Sequence, residues 1–304
     1  MRVFVTGATG FIGSAVVREL IDSGHEVTGL ARSDQAAATL EAAGAGVHRG
    51  ALDDLDSLRR GAAAADGVIH TAYIHDFSRM EDAANTDLAA VAALGATLEG
   101  TNRPLVITTG TALIKPGDLA TEDDPGPSGA GGHPRMRAEQ TAEELADRGV
   151  RTSIVRPGAS VHGEGDHGFV PVLIDIARTK GVSAYIGDGA NRWPAVHRLD
   201  AAVIYRLALE SAPAGSVFHA VADEGVPTRE IAEIIGRHLG VPAVSVARED
   251  AAEHFGWMGV FFGLDAPASS ALTQERLGWT PVQPGLVADL EQGHYFGPVA
   301  VASA

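Results

Sequence analysis

The chain has 304 residues, 45% of them hydrophobic and 20% charged, which is the composition of a folded globular protein and excludes a disordered one. Its 23 basic residues stand against 39 acidic ones, a formal charge of −16, so we expect no nucleic-acid partner because a phosphate backbone would be repelled. It has no cysteine, which excludes disulfides, thiolate metal sites and a cysteine nucleophile. Since no apolar run approaches the ~18 residues of a membrane span and no export signal is recognisable, we expect a cytoplasmic protein without a membrane partner.

Short β-branched runs alternate with helical stretches over the first half of the chain, a pattern typical of βαβ units and a parallel sheet. The predicted strands span residues 3–6, 26–30, 45–48, 67–70, 105–108 and 152–155. The predicted helices between them span residues 12–22, 34–43, 55–63, 80–99 and 137–148. Six such strands predict an α/β fold with a Rossmann-type doubly wound parallel sheet.

The second half of the chain has irregular spacing and many Gly and Pro residues, which predicts loops that close over a site. We therefore expect a dinucleotide-binding Rossmann domain over residues 1–160 and a smaller α/β substrate-binding lobe over residues 161–304. A segment near residues 182–222 is a candidate to return to the first sheet, beginning with the strand-like run 182–186.

A glycine-rich loop joins the first predicted strand to the first predicted helix, and its glycines stand at the spacing GxxGxxG. Each glycine has a mechanical reason: a tight turn, close approach of the backbone to a pyrophosphate, and close packing of helix on strand. A plain strand-to-helix turn is the alternative, but the place at the start of a βαβ series favours a dinucleotide. The predicted contacts are Thr6, Gly7, Thr9, Gly10, Phe11, Ile12 and Gly13.

With this loop the chain resembles the extended and atypical short-chain dehydrogenases/reductases, the NAD(P)-dependent epimerase/dehydratase-like proteins, whose loop reads TGxxGxxG. VIHTA at residues 68–72 is similar to the family's fourth strand, and RPGASVHG at 156–163 to its RPxxVYG turn. VHRLD at 196–200 is similar to its HVxD segment, and LGWTP at 277–281 to its LGWxP segment. The resemblance covers most of the chain and implies four further cofactor contacts: His70, Thr71, Ala72 and Pro157.

The end of the second predicted strand selects between NAD(H) and NADP(H). An acidic residue there would bind the ribose of NAD and repel a 2′-phosphate, whereas an arginine attracts that phosphate. The chain has Ala31 where the acid would stand, followed by Arg32 and Ser33, which favours NADP(H) over NAD(H). A solvated arginine in an ordinary turn is the alternative. Leu52 and Asp53 follow the third strand, where the resemblance implies an adenine contact, although a helix cap explains the aspartate equally well.

The family resemblance also implies a catalytic tyrosine and lysine at the spacing YxxxK, which puts both on one helix face. No YxxxK occurs anywhere in this chain. Counting back from the RPxxVYG-like turn places the tyrosine at Gly131 and the lysine at Arg135, and a slip of two residues places them at His133 and Arg137. Arginine could hold the ribose by its charge, but the usual tyrosine acid is missing in either register.

Replacement catalytic groups are sought where ligands of open α/β sheets bind, at the carboxyl ends of the strands. The family's upstream serine corresponds to a segment in which Thr109 and Thr111 are the hydroxyl donors, and Asp87 stands where an active-site asparagine is usual. We hypothesise that His75, oriented by Asp76 or another carboxylate, donates the proton. The other candidates for this role are Tyr73, His133 and His167.

Candidate substrate contacts lie in the second lobe. His162 and His167 belong to the turn after the sixth strand, while Arg192 and Trp193 precede the VHRLD segment, where the family often binds an anionic substrate through arginine. A polar loop and a tryptophan that caps the lobe are the ordinary structural alternatives. Neither HExxH nor any regular ligand spacing occurs, so we expect no metal.

These features predict an NADP(H)-dependent oxidoreductase that moves hydride to or from a carbonyl or imine carbon of a small organic substrate. A sugar-nucleotide epimerase or dehydratase is a second interpretation, against which the missing tyrosine counts. A non-catalytic NADP(H)-binding sensor is the third, since the fold alone does not guarantee activity. A homodimer is left open.

Overall fold

The computed structural model describes residues 1–76, 79–127 and 134–297. Its strands, in chain order, are β1 (Arg2–Thr6), β2 (Glu26–Ala31), β3 (Gly46–Arg49), β4 (Gly67–His70), β5 (Pro104–Thr108), β6 (Arg151–Pro157), β7 (Ser160–His162), β8 (Ser183–Ile186), β9 (Arg192–His197), β10 (Ser216–Ala220), β11 (Asp223–Pro227) and β12 (Ala243–Val246).

The described helices are α1 (Phe11–Asp22), α2 (Asp34–Ala42), α3 (Leu55–Ala63), α4 (Met80–Leu98), α5 (Arg137–Asp147), α6 (Phe169–Lys180), α7 (Arg198–Ser211), α8 (Thr228–Leu239), α9 (Ala251–Phe255), α10 (Met258–Phe262), α11 (Ala271–Leu277) and α12 (Leu286–Glu291). Short 3₁₀ turns lie at Pro134–Met136, Arg248–Asp250 and His294–Phe296. In this part of the chain, no helix has both the length and the apolar character needed to cross a membrane.

The central sheet has seven strands in the order β10-β6-β5-β4-β1-β2-β3, and every neighbouring pair is parallel. The predicted Rossmann-type doubly wound fold is confirmed. The strand order reverses between β1 and β4, and ligands of such sheets bind in the crevice at the carboxyl ends of the strands at this switch point. The site is therefore expected beside the ends of β1 and β4.

Helices cover both faces of this sheet, which explains why its central strands are almost wholly apolar. Side chains alternate between faces: Val3 and Val5 pack into the core that contains α1 and α7, whereas Phe4 packs into the core beneath α3 and α4. The β1 and β4 ends are thus held rigidly between two hydrophobic layers.

The chain returns to the central sheet through α7, which packs on α1, and through β10, which pairs with β6. The expectation that the run 182–186 begins this return is wrong, because β8 pairs with β12 in a separate two-stranded sheet. A β8 strand packed under α6 and α8 buries its apolar side chains in the second lobe instead. The second lobe also contains a three-stranded sheet in the order β11-β9-β7.

Candidate functional site

The glycine loop after β1 forms a tight cradle at the start of α1. Gly7 has φ +67°, and a Cβ there would lie 2.6 Å from the backbone nitrogen of Ala72. A Cβ on Gly13 would collide with the carbonyl oxygen of Gly7. Both glycines are therefore needed by the protein's own backbone, the first for the turn and the second for close packing of α1.

Gly10 differs from the other two glycines because a Cβ there would meet only the Gly7 oxygen, at 3.1 Å. Gly10 and Thr9 are exposed, and Gly10 stands at the N-terminus of α1, which has no side-chain cap. Free backbone N–H groups at a helix N-terminus attract anions, so the cradle fits the pyrophosphate of a dinucleotide. Phe11 and Ile12, both half-buried, continue the loop into the helix.

A buried chain of polar side chains fixes the ends of β1 and β4. Thr6 Oγ1 lies 2.7 Å from His70 Nδ1, and His70 Nε2 lies 3.0 Å from Asp87 Oδ1. Thr71 Oγ1 donates to the Thr6 carbonyl at 2.8 Å. His70 and Asp87 are 1% and 2% exposed, so these side chains orient the strand ends rather than meet a ligand. The expected catalytic role of Asp87 is not supported by this placement.

The end of β2 presents a cation to solvent. Arg32 is exposed, and no described residue forms a hydrogen bond or ion pair with it. The nearby Arg49, by contrast, is paired with Asp34 at 2.7 Å. Ser33 caps α2, its hydroxyl oxygen accepting from the Ala36 N–H at 3.1 Å. Arg32 is thus available to a phosphate, and Ala31, buried at the strand end, places no negative charge beside it.

The turn after β3 is explained largely by helix capping. Asp54 Oδ1 accepts from the backbone N–H of Ser57 at 2.9 Å and so caps α3. Asp53 is exposed and Leu52 half-buried on the same turn. An adenine contact by Leu52 or Asp53 stays a prediction.

Titratable and aromatic side chains gather immediately after β4. The guanidinium carbon of Arg135, from the Pro134–Met136 turn, lies 3.8 Å from the centre of the Tyr73 ring. His75 packs edge-on against Tyr73, with ring centres 5.3 Å apart. Desolvation of the ring and the positive charge of Arg135 lower the pKa of His75 to about 4, although part of the residue stays exposed.

The second lobe reaches this cluster through His167. Its ring lies edge-on to Phe11 of the cradle, with centres 5.7 Å apart, and its charged form lowers the pKa of His75 further. The guanidinium carbon of Arg198, at the start of α7, lies 4.9 Å from the centre of the Phe11 ring. His167 of the second lobe and Arg198 at the start of α7 therefore both contact Phe11 beside the glycine cradle.

The two threonine candidates are committed to structural hydrogen bonds. Thr109 Oγ1 donates to Glu139 Oε1 at 2.5 Å, and Glu139 binds the buried guanidinium of Arg156 at 2.9 Å. Thr111 Oγ1 donates to the Pro157 carbonyl at 3.3 Å. Because Thr109 and Thr111 are 5% and 1% exposed, neither offers a hydroxyl to a substrate, contrary to expectation.

Three of the expected substrate contacts are occupied within the second lobe. Arg192 binds Asp265 through Nε and Nη2, at 2.9 and 2.8 Å, so its charge is neutralised. Trp193 is 1% exposed and donates its indole N–H to the Phe261 carbonyl. His162 is fully buried, with Nδ1 2.9 Å from Asp289 Oδ2. The ion pair of Arg192 and the burial of Trp193 and His162 argue against direct substrate contact, and of the four candidates only His167 lies by the cradle.

The remaining expected site residues divide by position. Ala72 is half-buried against Gly7, and Pro157 ends β6 with its carbonyl bound to Thr111. Asp76 follows His75, and its backbone carbonyl accepts from the Arg79 N–H at 3.0 Å. His133 lies outside the described residues. Throughout residues 1–76, 79–127 and 134–297, no three His, Asp or Glu side chains are arranged to hold a metal ion.

Sequence reasoning missed Arg198 and the aromatic group of Phe169, Trp257 and Phe261. Phe169 follows His167 by two residues and packs on Trp257 and Phe261. Its ring centre lies 6.0 Å from that of Trp257 and 5.2 Å from that of Phe261. The position of Arg198 inside the VHRLD segment was a usable signal. Trp257 lies in the turn between α9 and α10 and Phe261 in α10, and neither short helix has a periodic pattern that would tie these residues to a site.

A parallel sheet with a glycine cradle at its switch point defines a dinucleotide-binding Rossmann protein. The chain belongs to the NAD dependent epimerase/dehydratase family, whose model matches residues 3–221. The resemblance to extended short-chain dehydrogenases/reductases is thereby confirmed. The distant characterised relatives are reductases and epimerases, which supports an enzyme.

Close relatives are found in yeasts. An uncharacterized Schizosaccharomyces pombe protein is 52% identical over 297 residues, 97% of this chain and 100% of that one. The 2-alkyl-3-oxoalkanoate reductase of Stenotrophomonas maltophilia is 30% identical, over 81% of this chain and 78% of that one. The Thermus thermophilus UDP-glucose 4-epimerase, solved with NAD, superposes with a TM-score of 0.76 over 98% of this chain and 100% of that one. At 22% identity, this last likeness shows the fold alone.

Proposed function

We propose that the protein is an NADP(H)-dependent oxidoreductase that reduces a carbonyl or imine carbon of a small organic substrate, or oxidises the corresponding alcohol or amine. Bound NADPH would supply the hydride. The chain's own residues would hold the dinucleotide at the cradle, neutralise its 2′-phosphate and protonate the product.

One observation carries the proposal: the nucleotide cradle and a titratable cluster meet at one edge of the sheet. A Cβ on Gly7 would lie 2.6 Å from Ala72 N, and Tyr73 and His75 follow directly along the chain. A cofactor bound over Gly10 therefore has side chains capable of acid chemistry immediately beside it.

The choice of NADP(H) is supported by the end of β2. Arg32 is exposed and without a partner among the described residues, and Ala31 replaces the acid that would bind an NAD ribose. A guanidinium can hold a phosphate through two parallel hydrogen bonds. The protein as a whole is strongly acidic, so a lone unpaired arginine at this point is well suited to attract a phosphate locally.

Reduction is favoured over sugar-nucleotide chemistry by the state of Arg192. A sugar nucleotide carries a diphosphate, and Arg192, the second-lobe cation expected to bind an anionic substrate, is instead bonded twice to Asp265. The half-buried Phe169 and Phe261 and the exposed Trp257 instead give the second lobe an aromatic surface two residues from His167. The name of the Stenotrophomonas maltophilia reductase suggests a 2-alkyl-3-oxo acid as one substrate class to try.

The test is oxidation of NADPH, followed by absorbance, with a 2-alkyl-3-oxo ester, an aromatic aldehyde and a cyclic imine. We expect turnover with at least one of the three and loss of turnover in Gly10→Val, whose side chain occupies the space of the pyrophosphate. NADPH binding without turnover of any probe in either direction would favour a sensor and contradict the proposal.

A further inference from the structure

We propose that Tyr73 and Arg135 together replace the missing tyrosine and lysine of the family: Tyr73 donates the proton to the substrate oxygen, and Arg135 stabilises the phenolate that is left. The inference deepens the proposed reductase function and rests on it. The two residues are 62 positions apart in the sequence and become neighbours only in the fold.

Tyr73 lies where an acid is needed. It is the third residue after β4, which pairs with β1, and it directly follows Ala72, against which the cradle glycine Gly7 is packed. Its side chain is half-buried, with one part covered by Arg135 and His75 and another part left exposed. A substrate beside a dinucleotide bound to the cradle would reach this side chain.

The Tyr73 hydroxyl is uncommitted, since no residue in the described part of the chain exchanges a hydrogen bond with it. Two of the other tyrosines are engaged: Tyr205 Oη lies 2.9 Å from Thr108 Oγ1, and Tyr295 donates to Asp166 at 3.1 Å. Tyr185 lies on β8, in the second lobe's two-stranded sheet. Only Tyr73 combines an unbonded hydroxyl with a place at the cradle.

Arg135 supplies a permanent positive charge. Its guanidinium carbon lies 3.8 Å from the Tyr73 ring centre, a stacking distance for an arginine on an aromatic face. The positive charge of this guanidinium favours the ionised over the neutral phenol ring. One of the two sequence registers puts Arg135 at the family's lysine position. The positive charge would then stand where the family has it, whereas the phenol would come from Tyr73, after β4, instead of from the helix that carries the family's tyrosine.

His75, the donor expected from the sequence, is poorly suited to this step. Desolvation and the charge of Arg135 bring the pKa of His75 to about 4, so at neutral pH its ring carries no additional proton to give. Desolvation also raises the pKa of Tyr73, which keeps that hydroxyl protonated until the substrate oxygen becomes negative. His75 then serves to pack Tyr73 against Arg135.

The step balances as follows. The carbonyl carbon gains a hydride, the π electron pair moves to oxygen, and this alkoxide takes the proton of the Tyr73 hydroxyl. NADPH is oxidised, the carbonyl is reduced, and the Tyr73 phenolate beside Arg135 regains its proton from water. No further oxidant or reductant is required.

The kinetic test uses the carbonyl probe that wild type turns over with NADPH. Tyr73→Phe should lower kcat by about 10²- to 10⁴-fold with the dissociation constant of NADPH unchanged, as for a lost general acid. Tyr185→Phe is the matched control. The guanidinium carbon of Arg229 lies 5.4 Å from the centre of the Tyr185 ring, but Tyr185 is far along the chain from the cradle. This variant should leave kcat within twofold.

A spectroscopic test measures the interaction between Tyr73 and Arg135 without requiring turnover. In protein labelled with ¹³C at tyrosine Cζ, the titration of Tyr73 should move to higher pH in Arg135→Gln and stay near wild type in Arg135→Lys. Arg229→Gln should leave Tyr73 unchanged. The other charged or titratable groups around Tyr73 are Asp87, Arg137 and His75, and all three are retained in these variants.

The outcomes separate this inference from the function beneath it. If the wild type is active and kcat of Tyr73→Phe lies within threefold of the wild-type value, the proposed roles of Tyr73 and Arg135 are wrong. The same holds if Arg135→Gln leaves the titration of Tyr73 unchanged. Either result leaves the proposed reductase function intact. A wild type that binds NADPH but reduces no carbonyl probe overturns the proposed function, and the inference with it.

Discussion

The two sides of the proposed active site are built in different ways. The proposed nucleotide side is a single run of eight residues, 6–13, whose backbone would bind the dinucleotide and in which close backbone contacts require glycine at positions 7 and 13. The proposed substrate side consists of Tyr73 after β4, Arg135 before α5 and His167 before α6, which are distant in the sequence and close only in the fold. Backbone sites leave a local signature in the sequence, whereas sites made of distant side chains leave almost none.

The largest expected effect is a difference in stability between valine substitutions at two glycines of the same loop. Gly13→Val should destabilise the whole protein by about 3 kcal/mol or more, because its side chain would collide with the Gly7 carbonyl in a rigid core. Gly10→Val should keep the fold but lose NADPH binding, since its Cβ meets only the Gly7 oxygen, at a tight 3.1 Å that a small shift can relieve, but would occupy the space of a pyrophosphate.

Thermal unfolding followed by circular dichroism, together with calorimetric titration of NADPH, measures both properties. A Gly10→Val protein that unfolds as easily as Gly13→Val would mean that all three glycines are architectural. The contrast between a ligand-facing and a structural glycine would then be lost.

The next effect concerns the choice of cofactor. We expect wild type to bind NADPH more tightly than NADH, and Arg32→Ala to lose about 10- to 100-fold of that preference, since a charge-assisted pair contributes roughly 1.5–3 kcal/mol. Arg49→Ala is the control, because Arg49 is already paired with Asp34. Equal affinities of wild type for NADPH and NADH would remove the role given to Arg32.

The smallest expected effect is that of substituting Arg192, which the sequence predicts to contact the substrate. Arg192→Gln should leave KM and NADPH affinity unchanged and cost less than about 1 kcal/mol of stability, because the pair with Asp265 is partly exposed. Hydrogen bonds from Arg192 lower the pKa of Asp265, so this contribution is present at neutral pH and is lost as the pH falls through that pKa.

Denaturant unfolding of wild type and Arg192→Gln between pH 7 and pH 3 should show the two curves converging in acid. A large rise in KM for Arg192→Gln would restore Arg192 to the substrate site and support an anionic substrate.

The alternation of apolar strands and helices was enough to predict the fold class, because that periodicity follows directly from burial. The same periodicity could not assign the run 182–186 to a sheet. A short apolar strand has the same sequence pattern whether it joins the central sheet or, as here, pairs with β12. The seventh strand, β10, lies within the segment near residues 182–222 that is the candidate to return to the first sheet.

The candidate site was harder to predict because sequence does not reveal what a polar side chain binds. Thr109 and His162 stand in motif-like positions, yet their partners are Glu139 of α5 and Asp289 of α12, which are distant in the sequence. Arg32 is easier to single out because it stands at a strand end next to the cradle, and its contact with a 2′-phosphate stays a prediction. The pairing of Tyr73 with Arg135 needed the fold, since no spacing links them.

The most direct measurement of the central claim is transfer of label from the cofactor. NADPH carrying deuterium at C4, in each of its two stereochemical forms, is incubated with the protein and the carbonyl probe that it reduces, and the product is analysed by mass spectrometry. We predict one deuterium on the former carbonyl carbon from one of the two forms and none from the other. Product that is unlabelled from both forms, or the absence of any reduced product, would contradict the account.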